Sequence, residues 1–254
     1  MASYHLSAKV GKVGTGAPHA AYITRKGRTT AKTPDHLDYA ESGNLPEWAA
    51  GDPRTFWRAA DLYERANGCV YREFELALPR ELDPAQRLAL VREFVESEVG
   101  NYTYTFSIRN RKAAIDGGEH PYSLIMYSER VQDGIERTAE THFKRANKKN
   151  PAQGGCAKIS RFSGGVTVQQ ARIALIKIRA NWADLQNKYL EKYGHEARVD
   201  HRSLKDQGIA PSEHVAEAKL GPRFTAVYGK YLAEQRAEKK NKASAKENPP
   251  KRAF

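Results

Sequence analysis

A chain of 254 residues is long enough to bury one sizeable core with an appended arm, so one main domain is expected. Its 42 Lys and Arg against 30 Asp and Glu leave a formal charge of +12, which favours a polyanionic partner, nucleic acid first and an anionic membrane surface second. No stretch approaches the roughly 20 apolar residues of a bilayer span, and the N-terminus MASYHLSAKV lacks the apolar core of a secretory signal; a cytoplasmic protein without membrane insertion is expected.

Tyr4, Leu6, Ala8 and Val10 alternate with polar or small neighbours, the period-2 signal of a half-buried strand. A Gly-rich turn from Gly11 to Gly16 leads to Pro18 and a short helix through about Arg25, which carries Tyr22 and delivers the basic run Arg25, Lys26 and Arg28. Asp52-Pro53 opens a clearer helix, with Phe56, Trp57, Ala60 and Leu62 or Tyr63 as its apolar face and Gly68 as the stop. A strand is expected over Val70–Leu78, then a helix from Asp83-Pro84 with Leu88, Leu90, Val91, Phe94 and Val95 at helical spacing. Strands over Tyr102–Arg109 and Tyr122–Arg130 flank the basic, Gly-containing loop NRKAAIDGGEH. Thr138–Asn147 reads as a shorter helix, and Thr167 opens a long one striped by Ala171, Leu175, Ile178, Trp182, Leu185 and Tyr189, with Gly194 as its stop. This order predicts an α+β fold, an antiparallel or mixed sheet covered by helices. The expected domain spans 1–233, and residues 234–254 form a polar, basic tail with the composition of disorder. Cys69 and Cys156 form neither a metal-ligand spacing nor a disulfide framework and read as reduced bystanders.

Several stretches together resemble the relaxase domain of the MobA/MobL plasmid-mobilisation family. They are MASYHLSAK, AAYITRKG, YAESGNLPEW, AADLYERANG with YREFELALP, YSERVQDGIER and HEARVDHRSLKDQGI, in family order over about Met1 to Ile209. The resemblance implies a bacterial histidine-hydrophobe-histidine endonuclease fold, with a central antiparallel sheet flanked by helices. It also implies an activity: binding single-stranded DNA at a transfer origin and cutting one strand with a tyrosine hydroxyl that stays joined to the 5′ phosphate. Tyr22 matches the position of the family's nucleophile. By itself it is one of 13 tyrosines, and an aromatic on a short helix is usually packing. Arg25, Lys26 and Arg28 would hold the DNA backbone beside it; the plain alternative is a solvated basic face.

The family also implies three metal-ligating histidines, one at the end of the third strand of its pattern and two, one residue apart, on the next strand, where alternate residues face one ion. Here those positions read Arg109, Tyr122 and Leu124. No cofactor is therefore expected, and magnesium or manganese would need a non-standard site. Arg109 is the candidate to replace the ion, because a guanidinium is permanently charged and matches phosphate oxygens bidentately. Glu73 or Glu75 would pair with it and fix its geometry, as a family carboxylate orients a ligand histidine. His120, Arg111 and Lys112 stand near the same phosphate, and Tyr122 could act as an auxiliary phenol. Catalytic candidates are thus Tyr22, Arg109, Glu75 and His120, and DNA-binding candidates are Arg25, Lys26, Arg28, Arg111 and Lys112. The alternative for Arg109 is a strand-end residue in solvent.

Two functions follow: an atypical relaxase that cuts without the usual metal site, or a cleavage-deficient protein that only binds origin DNA. A replication initiator is a more distant third. Accessory mobilisation proteins and a coupling protein would be separate partners, since the chain stops soon after the relaxase-like part and no fused helicase or primase is expected.

Overall fold

A computed structural model describes residues 4–26, 35–113, 117–162, 164–203 and 206–207. Nearly all lie in one unit, Met1–His201; a second unit, Arg202–Phe254, is described at only four positions, so the expected tail at 234–254 lies outside the described residues.

Five strands make one antiparallel sheet: β1 (Leu6–Lys12), β2 (His36–Gly43), β3 (Cys69–Ala77), β4 (Tyr104–Lys112) and β5 (Glu119–Tyr127), in the spatial order β1-β3-β5-β4-β2. The α+β expectation is met. One strand, β2, has no counterpart in the sequence prediction. It is an edge strand with the sequence HLDYAESG, mostly half-buried along its length, and its register shifts between Leu37 and Tyr39. A strand that buries no full apolar face gives no period-2 signal to read.

The β4–β5 hairpin extends further toward its loop than expected. Tyr102 and Arg130 fall outside the strands, while Asn110 to Lys112 pair with Pro121 to Glu119. Proline is tolerated there because it stands where the ladder to β3 runs out: its carbonyl still accepts the Leu78 N–H at 2.9 Å, and one reciprocal bond is given up at the strand end. Arg109 consequently sits within the strand and not at its end.

Helices cover both faces. On one, α3 (Pro84–Phe94) and α5 (Val168–Lys192) pack on Phe74, Leu76, Phe106, Ile108 and Ile125. Both begin with a capping box, Asp83 with Gln86 and Thr167 with Gln170, as their start signals predict. On the opposite face, α1 (Gly16–Thr24), α2 (Pro53–Tyr63) and the short α4 (Ala139–Phe143) bury Ile23, Phe56, Trp57 and Phe143 against Tyr71, Tyr122, Leu124 and Met126. α2 starts at Pro53, with the Asp52 carboxylate accepting the Arg54 N–H at 3.0 Å, but it stops at Tyr63, well before Gly68. Leu62 and Tyr63 point outward, so neither completes the apolar face. α4 is half its expected length and ends at Phe143.

The early stop of α2 frees Glu64 for a buried ion pair. Its carboxylate receives Arg130 Nε at 2.9 Å and Nη2 at 3.0 Å, and Lys158 lies 3.4 Å away. Arg130 spends its remaining donors on the carbonyls of His142, Phe143, Lys144 and Cys156, which ties the segment after β5 into the core. Burial by itself would raise the Glu64 pKa, yet Arg130 and Lys158 hold it below the usual carboxylate range. A depressed folded-state value stabilises the protein above the unfolded pKa of about 4.3, and that stabilisation disappears as pH falls through the folded value. Urea midpoints measured from pH 7 down to pH 3 should therefore fall less steeply for Glu64→Gln than for the parent chain.

Candidate active site

Antiparallel pairing puts Glu73, Met126 and Thr105 on one rung, Glu75, Leu124 and Ser107 on the next, and Ala77, Tyr122 and Arg109 on the third. Paired residues share a face, so all nine look toward α1 and α2.

The loop into α1 and the helix's first turn are pinned by Asp61 of α2, whose carboxylate accepts the N–H groups of Gly14 and Gly16 at 2.9 Å and of Ala17 at 2.8 Å. Those N–H groups have no partner within the helix, and a carboxylate also suits the positive end of its dipole. The far end is pinned from the sheet. Arg109 donates from Nη2 to the carbonyls of Tyr22 and Ile23, the latter at 3.0 Å, and from Nη1 to Asp35 Oδ2 at 3.1 Å. Its Cζ lies 4.3 Å from the centre of the Tyr22 ring. The cation thus satisfies two terminal carbonyls and carries the phenol ring on its face.

Arg109 is 0% exposed, so it is not a solvent-facing strand end, and its guanidinium is committed to protein groups instead of being presented to a phosphate. The pairing with Glu75 also fails. Glu75 lies one rung away, where Lys9 Nζ of β1 binds it at 2.6 Å, while Arg109 is drawn to Asp35 and the end of α1. Glu73 likewise turns toward β1 and α1: it bonds His19 Nε2 and lies 3.7 Å from Lys9 Nζ.

Asp35 organises the third rung. Its side chain, 5% exposed, pairs with Arg25 and Arg109, and it accepts the Tyr122 hydroxyl at 2.5 Å. Arg25 follows α1 with φ of 54°, a left-handed cap uncommon for a side chain of this size, and its guanidinium also reaches the Asp35 carbonyl at 2.7 Å. Burial, then the bond to Asp35, pushes the Tyr122 pKa up to about 12, so it remains a neutral phenol. Arg111 lies over Tyr122, with Cζ 4.9 Å from the ring, and its Nη2 is 3.2 Å from His120 Nε2. Arg111, His120 and Tyr122 occupy one face of the hairpin, whereas Lys112 and Glu119, the next pair, turn to the other. Lys26, Arg111 and Lys112 are exposed; Arg28 lies outside the described residues.

The groups at the implied metal position do not fit a divalent ion. Arg109 has no lone pair to donate, Tyr122 keeps its proton, Leu124 is hydrocarbon, and the Asp35 carboxylate already serves two arginines and a phenol. Among the described residues, no group of three or more His, Cys, Asp or Glu is placed to hold a metal.

The structure brings Tyr22 and Arg109 together, and places Arg25 around the same carboxylate as Arg109. Two members of the site escaped sequence reasoning. Asp35 precedes a strand that was itself unrecognised, so nothing local marked it. His19 lies three residues before Tyr22, and that spacing was the available signal: it puts both rings on one side of α1, with centroids 5.9 Å apart.

Residues 16–230 match the model of the MobA/MobL family. A 43 kDa relaxation protein of Salmonella typhimurium is 54% identical over 82% of this chain, and mobilization protein A of Escherichia coli is 41% identical over 94% of it. The chain spans 56% of the length of the first and 32% of the second. A structure solved for the molecular basis of vancomycin resistance transfer in Staphylococcus aureus shares the fold, with a TM-score of 0.51 and 23% identity over 80% of this chain and all of the other. A family match over most of the sequence, together with relatives this similar, establishes that the chain belongs to the MobA/MobL family.

Proposed function

We propose that this chain binds single-stranded DNA at a plasmid transfer origin and cuts one strand by transesterification, with Tyr22 as the nucleophile and without a divalent ion at the position the family uses. The observation that carries the reading is the clamp on α1: Arg109 fixes the carbonyls at the helix end and supports the Tyr22 ring, leaving Tyr22 half-buried shortly before the exposed Lys26. The names of the two relatives, a relaxation protein and a mobilization protein, support the same class of activity.

In the cleavage step the Tyr22 oxygen attacks phosphorus, the P–O3′ bond breaks, and the phenolic proton ends on the 3′ oxygen. The 5′ phosphate remains on tyrosine as an ester, so the strand can later be rejoined by the reverse reaction. Arg109 acts through Tyr22 and is a positioning residue. Lys26 and Arg111 supply exposed cations for the DNA backbone, with His120 beside Arg111, whereas Lys112 faces the other side of the hairpin. Glu75 holds Lys9 in place and has no direct part in the chemistry.

The filled metal position favours one competing reading, a protein that binds the origin and does not cut. Purified protein incubated with origin oligonucleotides, with EDTA or with manganese, separates the two. The expected result is a covalent adduct on denaturing gels, of equal yield in EDTA, whose DNA maps to Tyr22 by peptide mass. No adduct under either condition, with retarded complexes on native gels, would establish the binding-only reading.

A further inference from the structure

Deprotonating a tyrosine costs most when no base stands near it, and the ordinary phenol is almost wholly protonated at neutral pH. The family's metal position offers no such group here: Arg109 is a cation and Tyr122 is a neutral phenol. One imidazole does stand beside Tyr22. His19 is on the same helix, with its ring near-parallel to that of Tyr22 at 26° and the centroids 5.9 Å apart. On β3, Tyr71 stacks on the imidazole at 4.9 Å with an interplanar angle of 4°.

A carboxylate orients this imidazole. Glu73, 2% exposed, bonds Nε2 of His19. An ionised carboxylate only accepts, so Nε2 carries the proton and the lone pair of the neutral ring is on Nδ1. A buried acid on one nitrogen, an accepting lone pair on the other and a tyrosine ring 5.9 Å away is the arrangement of a base with its orienting group.

Resting on the assignment of Tyr22 as nucleophile, we propose that His19, oriented by Glu73, is the general base of strand cleavage. His19 Nδ1 takes the Tyr22 proton, directly or through one water, as the phenolic oxygen bonds to phosphorus. The same proton passes to the 3′ oxygen as the P–O3′ bond breaks. Rejoining runs the transfer in reverse. No other reactant is consumed.

The charged and titratable groups around the imidazole come from five elements. Tyr22 is on α1, Lys9 on β1 lies 3.7 Å from Glu73, and Tyr71 and Glu73 are on β3. Asp61 on α2 binds the start of α1, and Arg109 on β4 lies across the Tyr22 ring.

The test is the rate of adduct formation against pH, in EDTA, with native-gel binding measured alongside. The parent rate should climb through the imidazole range, about pH 6–7, and level off. His19→Gln keeps a donor for Glu73 and much of the stacking surface but offers no basic nitrogen; it should bind origin DNA normally, react about 10²-fold slower or worse, and lack the limb. Glu73→Gln should keep the limb and lower the plateau rate several-fold, since the imidazole is less well oriented. A His19→Gln protein with the parent's rate and profile would overturn the proposal while leaving Tyr22 in its role. No adduct from the parent chain would overturn both. Should His19→Gln fail to fold, Glu73→Gln decides: a plateau rate equal to the parent's overturns the inference.

Discussion

Tyr22→Phe is expected to bind origin DNA with the affinity of the parent chain and to form no covalent adduct at any pH. The substitution removes one oxygen and leaves the contacts that hold the side chain. Arg109 lies over the ring at 4.3 Å and His19 stacks on it at 5.9 Å, and both contacts involve the ring and not the hydroxyl. The carbonyl clamped by Arg109 belongs to the backbone and is also untouched. Urea unfolding should accordingly agree with the parent to within about 0.5 kcal/mol, the range of substitutions that disturb no buried feature. A covalent adduct that survives in Tyr22→Phe would assign the bond to another residue. Tyr122 is a poor substitute, since it is buried and its proton is held toward Asp35.

Arg109→Ala should cost about 3–5 kcal/mol of stability, as expected when one partner of a buried ion pair is removed and the other stays. Asp35 would keep a carboxylate that is 5% exposed with half its compensation gone, the Ile23 carbonyl would lose the Arg109 donor, and the Tyr22 carbonyl would keep only the long 3.4 Å bond from the Arg25 N–H. The change also leaves a void beneath the Tyr22 ring, so adduct formation should fall even in the fraction that remains folded. Arg109→Lys is not a conservative repair, because one ammonium cannot serve two carbonyls and a carboxylate in the geometry of a planar fork. Asp35→Asn combined with Arg109→Ala should recover part of the loss, with a coupling energy readable from a double-mutant cycle of urea midpoints. Equal, additive losses would show that the ion pair does not couple the two residues.

How far the sequence carried these conclusions depended on how local each feature is. The starts of α2, α3 and α5 were legible because Asp52-Pro53, Asp83-Pro84 and Thr167 act within their own first turns. The stop of α2 was not, since it coincides with the ion pair of Glu64 with Arg130, 66 residues further on, which no local signal marks. Edge strand β2 was missed because its polar, half-covered residues carry no alternation. At the site, Tyr22 and the loss of the histidine positions came from family resemblance, and the chemistry of Arg109 was then read as an open phosphate contact. Its real partners, Asp35 and the end of α1, are 74 to 87 residues away, and no spacing rule reaches that far.

The nine residues of α1 are too few to hold a helix in water, and their support comes from Asp61 of α2 and from Arg109 of β4. The placement of Tyr22 thus depends on residues distant in the chain, and it is expected to be lost first on warming. On the proposed role of Tyr22, heat should abolish adduct formation some degrees before the sheet melts, and hydrogen exchange at Ala20 and Ile23 should quicken while Phe74 and Ile125 are still protected. The same proposal implies a temperature at which nicking is switched off while the protein's sheet, and its abundance, are unchanged.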